Sequence, residues 1–189
     1  MLSLLTVNGY CQVESQPLTL TIKSDKEVYK ASEDIAIDVG LINLTDKSIY
    51  ILSYFERSSS EGVSSGLRFN IVGPDSKPPK YIHREQLEDR VSYPQIMLLE
   101  PNQKRNVKII LNYWYKMDKP GDYEISADFK DFLELANKLA AELDDWNKMN
   151  NECIKKGCQQ ISLASNSIKI KVLEKNFLEK IKDWFGSKE

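Results

Sequence analysis

Apolar and polar residues alternate with a period of two along most of this chain, the pattern of strands that bury one face. Leu18, Leu20 and Ile22 alternate with Thr19, Thr21 and Lys23 after Pro17, which predicts a first strand ending at Ser24-Asp25-Lys26. Ile35, Ile37 and Val39 repeat the pattern and residues 41–43 continue it, leaving residues 27–34 as a connection with Tyr29 as a core plug. Ser48 to Tyr54 places Ile49, Ile51 and Ser53 on one face and Tyr50, Leu52 and Tyr54 on the other, so this strand is expected to be central. Gly66 to Val72 reads as a short strand ended by Gly73-Pro74-Asp75. The stretch from Ser76 to Pro94, with Pro78, Pro79 and many charges, reads as a surface excursion. Order returns at Ile96 to Leu99, a turn at residues 100–103, and a strand from Val107 to Leu111.

The clearest local unit is Lys119-Pro120-Gly121-Asp122-Tyr123. Pro fixes φ for a turn, Gly supplies the positive φ that ends it, and Tyr123, Ile125, Ala127 and Phe129 then form one apolar face. A Tyr just after such a turn anchors the corner of a sandwich through its hydroxyl. The period then changes: Phe132, Leu135, Leu139, Leu143 and Trp146 recur at three- and four-residue steps, predicting a helix from Asp131 to Met149 that ends at Asn150-Asn151. Alternation resumes between Ile161 and Leu173, and a short amphipathic helix from Asn176 to Phe185 closes the pattern. The expected fold is mainly β: an immunoglobulin-like β-sandwich of about seven strands, residues 17–175, with an α-helical insertion at 130–160 before the last strand and a C-terminal helix over 176–189.

With 189 residues, one domain is the simplest organisation. Lys and Arg total 26 against 28 Asp and Glu, and a net charge of -2 supplies no field that argues for nucleic acid or an anionic membrane. No apolar run is long enough to span a bilayer. The first 16 residues contain an apolar stretch without a basic leader or an Ala-x-Ala site, and read either as a signal remnant or as an edge strand or frayed end. Asn8-Gly9-Tyr10 before Cys11 is a poor lipidation box. Cys153 and Cys158 flank Gly157 in a short loop and are expected to form a local disulfide, with two reduced thiols as the alternative and Cys11 left unpaired. A disulfide requires an oxidising compartment, so export to the periplasm or beyond the cell is expected. Three Cys and the single His83 have no recognised zinc spacing, and no cofactor is expected.

Candidate chemistry is sparse. Gly62-Val63-Ser64-Ser65-Gly66 matches a Gly-x-Ser-x-Gly string, but a polar loop precedes it and a strand follows, the reverse of a nucleophile elbow. Asp144-Asp145 falls opposite the apolar stripe, where solvated charge is the default. Asn43-Leu44-Thr45 is a glycosylation sequon. Tyr113-Trp114-Tyr115 is the best candidate for binding, since neighbours on an extended segment point to opposite sides. The ordinary alternative, favoured because aromatics mostly serve the core, is that Trp114 and its neighbours seal the end of the sandwich. Tyr81 and His83, on the excursion, complete the candidate binding residues.

Several segments together resemble the immunoglobulin-like amino-terminal module of deuterolysin-type and peptidyl-Lys metallopeptidases. They are Tyr-x-x-x-Glu-x-Ile at Tyr29, Glu33 and Ile35, Asn-x-Thr-Asp-Lys at 43–47, and Gly-x-x-Phe-x-Ile-x-Gly at 66–73. Leu-x-Pro-x-Gln at 99–103, Leu-x-x-x-Tyr at 111–115 and Pro-Gly-x-Tyr at 120–123 continue the series. The chain has no His-Glu-x-x-His, and His83 is followed by Arg84-Glu85-Gln86-Leu87, so the zinc catalytic domain is absent. The resemblance implies a stand-alone prodomain-like module that inhibits a peptidase or helps it fold. The residues themselves support a non-catalytic module with a protein partner, not an enzyme.

Overall fold

The computed structural model describes residues 17–53, 55, 66–82, 95–133 and 144–175. The amino-terminal segment with Cys11, Ser64, His83, the middle of the insertion with Leu135, Leu139 and Leu143, and the expected C-terminal helix with Trp184 lie outside the described residues.

Two sheets face each other. In one, β1 (Leu18–Ser24), β3 (Ala36–Asn43) and β7 (Lys104–Ile110) pair antiparallel in that order. In the other, the order is β2 (Val28–Tyr29), β10 (Ile168–Val172), β8 (Gly121–Lys130) and β5 (Leu67–Val72), with β2 parallel to β10. The alternation seen in the sequence sets the register, because a one-residue slip would turn each buried row to solvent. Leu18, Leu20 and Ile22 meet Ile125, Phe129 and Ile170 in a single core that also takes in Ile37, Val39, Val107 and Ile109. The fold is an immunoglobulin-like β-sandwich.

β8 is the spine of its sheet. Along one edge it pairs with β10 at Gly121 to Ile125 and then with β9 (Ser162–Ala164) at Asp128 to Lys130. Ser165 bridges the gap between them, its N–H donating to the Ala127 carbonyl (2.8 Å) and its Oγ accepting from the Ala127 N–H (2.8 Å). Asn166 then ties the sheets together: its side-chain amide accepts from the Ile22 N–H (2.9 Å) and donates to the Ile22 carbonyl (3.1 Å), as a neighbouring strand would.

Three sequence expectations are corrected. Residues 27–34 are not purely a connection, since Val28 and Tyr29 form β2; burial of Tyr29 beside β10 brings its backbone into the ladder. β4 (Ile49–Ser53) is not central in a sheet: it pairs only with β6 (Gln95–Leu99) among the described strands. Both its faces are nonetheless covered, because Ile49 and Ile51 join the sandwich core while Leu52 packs with Trp146 and Cys153 of the insertion. The helix does not stop at Asn150-Asn151. It runs as α1 (Asp144–Lys156) to Gly157, which puts Cys153 in its last turn and not in a loop.

The structure also gives the sequon a role. Asn43 is fully buried, and its Nδ2 donates to the carbonyls of Lys47 (2.7 Å), Leu99 (3.0 Å) and Glu100 (3.0 Å). Its Oδ1 accepts from the N–H and the hydroxyl of Thr45. Both sequon side chains are therefore consumed in locking the β3–β4 turn against the end of β6, and a folded chain offers no amide nitrogen for a glycan.

The insertion is docked at both ends. Asp131 is buried, and its carboxylate accepts from the N–H groups of Leu133 and Ile161, joining the two ends of the excursion. The N–H groups of Phe132 and Gln159 donate to the carbonyls of Leu52 and Tyr50, both at 2.9 Å, and so protect β4. The expected disulfide is present between Cys153 and Cys158. Gly157 sits at φ +68°, the Cys158 N–H donates to the Cys153 carbonyl (3.0 Å), and the Gly157 N–H to that of Ile154 (3.1 Å). This is a Schellman cap, and the disulfide joins the two positions that such a cap ordinarily brings into apolar contact.

Candidate binding surface

One end of the sandwich is built by two turns that lean on each other. Gly121 adopts φ +134°, and a Cβ there would lie 2.6 Å from the ring of Pro74, so only glycine lets the 119–121 turn close onto the 73–75 turn. Tyr123, buried at the start of β8, donates its hydroxyl to the Lys119 carbonyl (2.9 Å), the corner anchor that the sequence predicts. Burial pushes its phenol above the ordinary pKa. The Gly73 N–H donates to the Lys77 carbonyl (2.9 Å), closing the opposite turn.

Between the turns lies an open groove of about 490 Å³. Pro74, Pro78, Pro79 and Pro120 supply stiff apolar walls, with fixed φ and no N–H to satisfy. Lys77, Lys80, Lys116 and Lys119 place ammonium groups around it, against the carboxylates of Asp75 and Asp118. Lys119 bonds Asp75 at 2.7 Å across the groove; that hydrogen bond holds the Asp75 carboxyl below its usual range and raises the Lys119 ammonium above its own. Lys116 pairs with Asp118 at 3.3 Å. Lys77 and Lys80 are exposed and make no ion pair among the described residues.

The groove runs into the candidate aromatics. The Lys116 N–H donates to the Lys80 carbonyl (2.8 Å) and the Ile82 N–H to the Trp114 carbonyl (2.6 Å), forming a short antiparallel bridge at Tyr81 and Tyr115. The two rings meet edge to face with centroids 5.6 Å apart. Tyr81 is 43% exposed. Tyr115 is half-buried, and burial, then the neighbouring Tyr81, pushes its phenol up. The structure thus brings Tyr81 and Tyr115 together from positions 34 residues apart.

The rest of the aromatic triplet divides differently from an extended segment. Residues Leu111–Tyr113 form a 3-10 turn, so the alternation of sides does not apply. Trp114 is buried in the sandwich core, the sealing role, and Tyr113 points its hydroxyl toward Asp34 at 3.4 Å. In sequence the groove residues mark two turns and the start of the surface excursion that also carries Tyr81 and His83, but not a groove. Their only signal is Pro78-Pro79 between lysines, together with Lys119-Pro120, and neither suggests that the two segments meet.

No family model matches the chain, and no curated protein does. Several solved structures are similar in outline. The CARDB domain of a Pyrococcus furiosus protein, in complex with di-metal ions, is 11% identical with a TM-score of 0.38, over 84% of this chain and 94% of that one. The sporulation control protein Spo0M of Bacillus subtilis is 11% identical with a TM-score of 0.40, over 89% of this chain and 56% of that one. A β-glucosidase of Erythrobacter marinus is 11% identical with a TM-score of 0.34, over 82% of this chain and 15% of that one.

Proposed function

We propose that this chain is a non-catalytic protein-binding module that docks its partner at the sandwich end carrying Tyr81 and Tyr115. One observation supports the reading above others. A groove with proline walls and a cross-bridged rim opens beside two tyrosines held by a backbone bridge, so a partner would meet a surface whose shape is already set. Preorganisation of this kind lowers the entropy cost of association, and tyrosine adds contact area with few rotatable bonds. The narrower role of inhibitor or folding helper of a peptidase would use the same surface, and the Cys153–Cys158 bridge, which persists in an oxidising compartment, supports export of the module.

Site-specific photo-crosslinking in cells of the native source tests the proposal. A photoreactive phenylalanine analogue at Tyr81 is expected to trap one protein partner in a defined adduct, and the same analogue at Lys47, on the β3–β4 turn, is not. Equal adducts from both positions, or none from Tyr81, would refute the docking site.

A further inference from the structure

We infer that the groove takes an extended, acidic segment of the protein partner; this rests on the protein-binding reading above and specifies what is bound. Four lysines face two aspartates there, so the groove carries a local excess of positive charge on a chain whose net charge is -2. Each aspartate already has a lysine partner, Asp75 with Lys119 and Asp118 with Lys116. Lys77 and Lys80 are left exposed and able to take carboxylates from outside. They lie three residues apart with Pro78-Pro79 between them, and proline keeps that stretch extended. Two ammonium groups on an extended segment present a spacing that an extended peptide can match, while the proline rings give its backbone an apolar bed.

Carboxylate fits this site better than phosphodiester. The groove contains lysine but no arginine, so it lacks the planar fork that clamps phosphate with two bonds. Its small excess of charge is also far below the long basic stripe that nucleic acid requires. Steering by these lysines is long-ranged only at low ionic strength, so binding of an acidic segment falls as salt is added.

Fluorescence polarisation with the full chain tests this, using a labelled ten-residue peptide of alternating Glu and Ser, the matching Lys and Ser peptide, and a ten-nucleotide oligothymidine. Saturable binding of the Glu peptide alone is expected, weakened at least tenfold in the double variant K77E/K80E and within twofold of wild type in K23E/K47E, which makes the same change in net charge elsewhere. Thermal melts of both variants confirm folding. No saturable binding of the Glu peptide, equal loss in the two variants, or tighter binding of oligothymidine would overturn the inference. The Tyr81 crosslink separates the two levels: an adduct that survives K77E/K80E refutes the acidic segment and leaves the module standing, whereas absence of any adduct in wild type refutes both.

Discussion

Tyr29 shows how one side chain couples burial to the pH range of the fold. Its ring is fully buried, and its hydroxyl donates to the Asp25 carboxylate, lies 2.5 Å from Ser24 Oγ and 3.3 Å from the Ala36 carbonyl. Burial, reinforced by Asp25, pushes the phenol up to about 12. A raised folded-state value means that the neutral phenol is the form the fold prefers. Its contribution is complete below the unfolded tyrosine value near pH 10, and is lost as pH rises through about 12, amounting to on the order of 3 kcal/mol. Chemical denaturation between pH 9 and 12 is expected to show a steep loss of stability that Tyr29→Phe makes shallower, at a cost of about 1 kcal/mol at neutral pH. An unchanged slope in the variant would show that this hydroxyl is not the coupled group. Asn43 teaches a related lesson. Its sequon spelling is legible in the chain, but its three carbonyl acceptors come from residues up to 57 positions away, so only the fold reveals that the side chain is structural.

At the scale of elements, the insertion is the informative case. Periodicity reveals a helix there, and Trp146 does face inward. The low helix propensity of Asn150-Asn151 predicts a helix end there, a weak prior that tertiary contact overrides. Burial of Cys153 against Leu52 and the Schellman cap at Gly157 carry the helix two turns further than propensity suggests. The disulfide closes only a five-residue separation, so its loss should cost no more than about 2 kcal/mol and act locally. Hydrogen exchange on C153S/C158S is expected to speed up at Gln159 and Phe132, whose N–H groups protect β4, with no change at Val39 in the sandwich core. Equal acceleration at Val39 would mean that the bridge supports the whole molecule.

For the molecule as a whole, two apolar clusters divide the work: the sandwich core, and a smaller one in which Leu52, Trp146 and Cys153 gather Ile96 and Met149. The insertion therefore covers the outer face of the β4–β6 pair. Replacing residues 132–160 with a short Gly-Ser linker should leave the β-type circular dichroism intact, because Asp131 and Ile161 already meet through a backbone hydrogen bond and a bond from the Ile161 N–H to the Asp131 carboxylate. The variant is expected to melt several degrees lower and to bind a hydrophobic dye, since Leu52 and Ile96 lose their cover. Loss of all β structure would show that the two clusters fold as one.

The longer strands, the Tyr123 corner, the Tyr29 plug and the cysteine pair were all written in the chain itself, because each depends on periodicity two, on turn chemistry within four residues, or on a bridge spanning five. What needed the tertiary structure was every feature made by residues distant in sequence. The partner of β4, the role of Asn43, the meeting of Tyr81 with Tyr115, and the groove between residues 73–80 and 116–123 arise only when separate turns are brought to one end of the sandwich. Local sequence carries φ, ψ and which face is apolar; it carries no information about which two surface turns will lie side by side, since that is set by how the sheets pack.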